Sequence, residues 1–184
     1  MAHITDLSII SSLTPASTVQ GGGLRPHGYL HNLPSALEVP VYAPVDSYLI
    51  DFAYYVDSGE AIYTLKFQVS CEVVFYFDNL RAVVSEIGDL MPGVPASDSR
   101  RTPIGPALFF RAGELVGYTG GTALSRTWDF GVLNTQSWNP LPAEPHVYSP
   151  NVDKYRFAVC QYEYFEESIK EQYMTLLGDT GCGP

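Results

Sequence analysis

Two histidines four residues apart open the chemistry of this chain, in the run His27-Gly28-Tyr29-Leu30-His31. In a Pro- and Gly-flanked loop, imidazoles at that spacing either hydrogen-bond locally or share a metal ion. A carboxylate follows in Trp128-Asp129-Phe130-Gly131-Val132, and Asp78-Asn79 ends the apolar run before Leu80. Between them, Phe110 to Gly121 reads as two short strands about a turn at Ala112-Gly113, then a Gly-Gly corner. That corner leads into the strand with Asp129 at its mouth. Together with Val41-Tyr42-Ala43-Pro44-Val45-Asp46 upstream, the pattern predicts a β-fold built to hold a metal. His146, on a Pro-rich stretch, reads as a surface residue, and His3 lies too near the chain start to carry weight.

The elements that must position these groups are mostly strands. The chain has 184 residues, enough for one domain with a real core. Its 13 Tyr, 9 Phe, 16 Gly and 14 Pro favour a turn-rich β-fold over a helical bundle. From Glu60 to Val69, Tyr63, Leu65 and Phe67 alternate with Thr64, Lys66 and Gln68, the period-2 signature of a strand with one buried face. Val73, Phe75 and Phe77 continue it, so the two strands form a hairpin about Ser70-Cys71. Leu80, Val83, Val84, Ile87 and Met91 fall at helical spacing and predict a short helix that stops at Pro92. Residues 91–106 read as an exposed loop. Strands resume over 107–110, 115–118, 128–133 and 155–160. Phe165, Ile169, Tyr173 and Leu176 then stripe a C-terminal helix ending at Gly178. The domain reading is a lead segment over 1–24, a β domain over 25–138, and a Pro-rich connector, strand and helix over 139–184. The uncapped end at Cys182-Gly183-Pro184 suggests one piece of a larger extracellular protein.

Charge and cysteine content narrow the function classes. The net charge is −10, and the densest basic cluster is Arg100-Arg101, which argues against nucleic-acid binding and against an anionic membrane surface. No apolar run reaches the roughly 20 residues of a membrane span. The N-terminus lacks the basic-then-apolar pattern of a signal peptide. Cys71, Cys160 and Cys182 lack zinc-knuckle spacing; two of them could form a disulfide, but spacing does not say which. The acidic stretch Glu163 to Glu171 reads as a solvated helix face.

Four motifs, in order, resemble one family. Val41-Tyr42-Ala43-Pro44-Val45-Asp46 is similar to the V-x-A-P-x-D-G strand and turn of the lysostaphin/LytM-type zinc endopeptidases. Tyr76-Phe77-Asp78-Asn79-Leu80 resembles their Y-x-H-L strand end, and Arg111 to Gly117 their V-x-x-G-Q-x-I-G hairpin. Thr127-Trp128-Asp129-Phe130-Gly131-Val132 stands where the family has H-L-H-F-E-V. The resemblance covers roughly residues 25–135. It implies a duplicated-hybrid-motif fold: all-β dominated, a two-sheet antiparallel β-sandwich or barrel-sandwich hybrid, here with one short helix after the central hairpin and a C-terminal helix. It also implies an extracellular or cell-envelope location. Biotinyl and lipoyl carriers share part of this skeleton. They need a lysine at a hairpin tip, however, and Lys66, Lys154 and Lys170 are not so placed.

Family chemistry uses a zinc-bound water flanked by histidines that carry protons. Carried over residue by residue, the resemblance implies a metal set of His27, His31 and Asp129 for Zn²⁺ or another divalent ion. The proton-carrier positions hold Asn79 and Thr127, which do not shuttle protons near neutral pH. Asn79 also reads as a cap for the predicted helix. Trp128, Trp138 and Asp78 are the candidates for lining a ligand groove. The expectation is therefore a catalytically degenerate relative that binds a cell-wall-like glycopeptide, a carbohydrate or a protein. The alternative is a metal-dependent hydrolase with an altered ligand set and Asp78 as general base.

Overall fold

The computed structural model describes residues 1–16, 19–20, 23–138, 152–178 and 181–182. In chain order the strands are β1 (Ile10–Thr14), β2 (Val19–Gln20), β3 (Gly23–Leu24), β4 (Gly28–Asn32), β5 (Val39–Tyr42), β6 (Ser47–Asp57) and β7 (Glu60–Gln68). After them come β8 (Val73–Leu80), β9 (Ala82–Val83), helix α1 (Ser85–Gly88), β10 (Thr102–Phe110), β11 (Leu115–Thr119) and β12 (Thr127–Asn134). Helix α2 (Val152–Arg156), β13 (Ala158–Val159) and helix α3 (Glu167–Leu177) complete the order.

An eight-stranded antiparallel sheet runs β1-β4-β12-β8-β7-β6-β10, with β13 pairing β12 where β4 leaves it. A three-stranded antiparallel sheet, β5-β11-β9, packs over it. The all-β, two-sheet architecture with few helices is thus as expected. Alternation explains the core between the sheets. Trp128, Phe130 and Val132 of β12 point inward with Phe75 and Phe77 of β8, Leu65 and Phe67 of β7, and Leu30 of β4, all fully buried. Val39, Val41 and Val116 close it from the smaller sheet. The rings interlock: Phe67 stacks on Phe75 at 4.8 Å and Phe77 on Phe130 at 5.4 Å. Burying one such side chain contributes about 1.5–3 kcal/mol.

Several element boundaries differ from the sequence expectation. The helix predicted to start at Leu80 is only α1, because Ala82 and Val83 pair with Tyr118 and Gly117 of β11 instead. Asn79 therefore caps no helix. It sits inside β8 with a positive φ of 66°, and its carbonyl accepts from Thr119 Oγ1 at 2.6 Å. The strand predicted over 155–160 is helical up to Arg156 and extended only at Ala158–Val159.

Both flanks join the same core. β1 lies beside β4, and Ile4 is fully buried. Tyr173 of α3 stacks on Phe165 at 4.5 Å, and its hydroxyl accepts from the Ile4 amide at 3.1 Å. A Cys160–Cys182 disulfide brackets α3, which resolves the pairing that spacing left open; Cys71 is free and exposed. His146 and the whole Pro-rich connector over 139–150 lie outside the described residues. No helix among the described residues is long and apolar enough to cross a membrane.

Candidate metal centre and groove

The same alternation that buries Trp128 turns Asp129 to the opposite face of the large sheet. There Asp129 lies in register between Tyr29 of β4 and Asp78 of β8. Two carboxylates directly opposite each other across an antiparallel pair repel, so the fold carries a local cost here. His27, just before β4, reaches over them. Its Nε2 lies 3.4 Å from Asp129 Oδ2 and 3.4 Å from the Tyr29 hydroxyl. Donor atoms of His27, Asp78 and Asp129 all fall within 4.8 Å of one another.

Two glycines make that approach geometrically feasible. A Cβ at Gly131 would fall 2.3 Å from the Tyr76 ring, so the ring lies flat across β12 only because residue 131 has none. From there the Tyr76 hydroxyl donates to the Pro26 carbonyl at 2.9 Å and holds the backbone that presents His27. A Cβ at Gly28 would meet the Gln161 side chain at 1.9 Å and the Thr14 carbonyl at 2.5 Å. His27 is further held edge-on between Tyr29 and Tyr76, with centroids 5.2 and 6.2 Å away.

Cations surround the cluster. Lys154 Nζ on α2 lies 3.7 Å from Asp78 Oδ2, and Arg101 lies 4.0 Å from Asp78 Oδ1 and 3.1 Å from Asp51. Burial, seconded by the Lys154 charge, pushes the His27 imidazole down to about 4. Burial pushes the Asp129 carboxyl well up; the Asp78 charge adds to this, and Lys154 and Asn79 oppose it. Burial pushes Asp78 up too, but Lys154, His27 and Arg101 outweigh it and its carboxyl ends below the usual range. The His27–Asp129 contact has the spacing of an ion pair, yet burial disfavours the charged form of both partners. The two carboxyls titrate as a unit, with Asp78 favoured as the ionised member.

This donor set fits a divalent ion. One imidazole and two carboxylates are ligands that zinc and its first-row neighbours accept. His27 Nδ1, Asp78 Oδ1 and Asp129 Oδ1 are buried without a hydrogen-bond partner among the described residues, as atoms awaiting a ligand would be. A cation there would oppose the effect of burial and favour the ionised form of Asp129. Cys160, Glu163 and Cys182 also cluster, but the disulfide uses both sulfurs.

The remaining candidates are placed as follows. His31 is not brought to the cluster; its Nε2 lies 3.0 Å from Thr14 Oγ1. The intervening residues form strand β4, so four residues extend up to about 13 Å instead of closing one turn. Asp78 stands in the place expected for His31. Trp128 lines no groove: it is fully buried and donates to Asn32 Oδ1 at 3.0 Å, because neighbours along a strand face opposite sides. Trp138 is exposed, with the Arg156 guanidinium 4.8 Å above its ring. Asn79 donates to Asp129 Oδ2 at 3.3 Å, and Thr127 shares a hydrogen bond with Ser125 at 2.6 Å. Tyr76 could have been found from sequence, since alternation puts it on the face of the sheet opposite the Phe75–Phe77 core. Lys154 and Arg101 carry no local signal. No protein-family model and no curated protein matches this chain.

Proposed function

We propose that this chain is a catalytically degenerate relative of the lysostaphin/LytM-type zinc endopeptidases. It binds a glycopeptide, carbohydrate or protein ligand in the groove over its large sheet, at a site organised by a divalent ion on His27, Asp78 and Asp129. One observation carries the reading. Two of the three groups expected at the metal, His27 and Asp129, converge with Asp78 in place of His31, while Asn79 and Thr127, at the proton-carrier positions that the resemblance implies, are tied into structural hydrogen bonds. Any ion bound here would supply Lewis-acid character. Asn79 has no proton to give or take near neutral pH, and the Thr127 hydroxyl ionises far above it. The Cys160–Cys182 disulfide supports an oxidising, extracellular or cell-envelope setting.

The test pairs binding with cleavage. The purified chain, supplied with Zn²⁺, is expected to co-sediment with insoluble peptidoglycan and to lose this on Asp129→Ala. It is also expected to leave peptidoglycan and oligoglycine peptides intact. Metal-dependent cleavage that disappears on His27→Ala would refute the reading and establish the alternative, a hydrolase with an altered ligand set. That alternative is favoured by the count of three protein donors, the number that catalytic zinc sites use.

A further inference from the structure

Helix α2 does more than connect. It is a five-residue helix whose Lys154 extends over the Tyr76 ring, with Nζ 4.5 Å from the ring centroid and 3.7 Å from Asp78 Oδ2. Two constraints anchor the contact: β13 pins the chain after α2 to Val132 and Leu133, and Tyr76 is locked by Gly131 and Pro26. Arg101, the other cation facing Asp78, is engaged more closely with Asp51, at 3.1 Å against 4.0 Å for Asp78. Of these two cations Lys154 is thus the nearer to Asp78, and it comes from an element outside the sheet.

We infer that Lys154 is a built-in counter-cation for the His27–Asp78–Asp129 cluster, which a divalent ion displaces, so that cation entry releases α2 from the groove. The inference rests on the cation reading proposed above. An ion bonded to Asp78 Oδ2 would sit within about 6 Å of the ammonium where it now stands, given a metal–oxygen bond near 2.1 Å. Two positive centres at that distance in a partly dry site repel, while the carboxylate that held the ammonium is spent on the ion. The lysine stem is flexible and its side chain is 24% exposed, so the ammonium can withdraw into solvent at little cost. With α2 released, the Tyr76 ring and the side of the cluster that Lys154 now covers face the groove. Occupancy of the site and access to it are then one event.

Calorimetric titration with Zn²⁺ in a non-coordinating buffer tests this on the full chain and on K154Q, K154R and D129N. K154Q is expected to bind Zn²⁺ about tenfold or more tightly than the wild type, because no internal cation competes. K154R, which keeps the charge, is expected to stay near wild type, and D129N to lose binding. Hydrogen exchange at residues 152–156 is expected to quicken when Zn²⁺ is added to the wild type. Equal or weaker binding by K154Q, with D129N still defective, overturns the role of Lys154 and leaves the cation site standing. Unchanged exchange over 152–156 overturns the release of α2. Absence of Zn²⁺ binding in every variant overturns the cation site and this inference with it.

Discussion

Replacing Asp129 with Asn should make the metal-free protein more stable and the metal-treated protein less stable than wild type. Oxygens of Asp78 and Asp129 lie within 4.8 Å of one another. At an effective dielectric of 20, two full charges so placed repel by about 3 kcal/mol. Burial favours the protonated form of Asp129 and so offsets part of that repulsion, and the relief expected from the substitution is about 1–2 kcal/mol. The introduced amide oxygen would still accept from the Asn79 side chain, which now donates to Asp129 at 3.3 Å. The sign follows from linkage. The Asp129 carboxyl titrates higher in the fold than in the unfolded chain, so its cost is absent below the ordinary value of 3.8 and grows as pH rises. The advantage of D129N should therefore be larger at pH 8 than at pH 5. Zinc inverts the ranking. At a free concentration a hundred times its dissociation constant, an ion stabilises by about 2.7 kcal/mol. For a chain of this size that raises Tm by roughly 5–10 °C. Thermal melts of both proteins, in chelator and in Zn²⁺, read all four states. A D129N that melts below wild type in chelator at pH 8 would sink the repulsion argument. One that gains the full zinc shift would remove Asp129 from the site.

Four shorter expectations accompany this. His27→Ala should weaken Zn²⁺ binding by at least about tenfold while His31→Ala leaves it unchanged, since only His27 joins the cluster; calorimetry separates them. Trp128→Ala should cost about 3–5 kcal/mol in denaturant unfolding, as a buried core ring and not a groove wall; a loss below about 1 kcal/mol contradicts its placement. Replacing Cys160 and Cys182 with Ser should destabilise by about 3 kcal/mol, because the bridge joins residues 22 apart in the chain; unchanged stability would mean the bond does not form. His27 titrates near 4 in the fold against 6.5 in the unfolded chain, so its contribution is intact above 6.5 and is lost as pH falls towards 4. In the D129N background, where the opposing Asp129 titration is gone, stability should fall over that window by up to about 3 kcal/mol. A flat profile there would count against a neutral, buried His27.

How far the fold could be read depended on whether an element's signal was local. The β7–β8 hairpin shows its inward face through Leu65, Phe67, Phe75 and Phe77, because alternation is written into neighbouring residues. The stretch from Leu80 to Met91 shows the limit. Its apolar spacing suits a helix, yet β11 takes the backbone groups of Ala82 and Val83 for its own edge. Spacing within a segment cannot report a partner that lies in a distant part of the chain. The same limit applies to Tyr155, read as the start of a strand and found in α2.

The site divides along the same line. Residue types and period-2 alternation established a β-fold and a carboxylate on β12 at position 129. Alternation also excludes Trp128 and Asp129 from facing one groove, a consequence that the resemblance alone obscured. Which groups meet was decided by strand register and by loops crossing between elements. Register set Asp78 beside Asp129, extension of β4 carried His31 away from His27, and the path of α2 brought Lys154 across the Tyr76 ring. Those are long-range pairings, whose energies depend on contacts between segments far apart in the chain, so no local pattern encodes them.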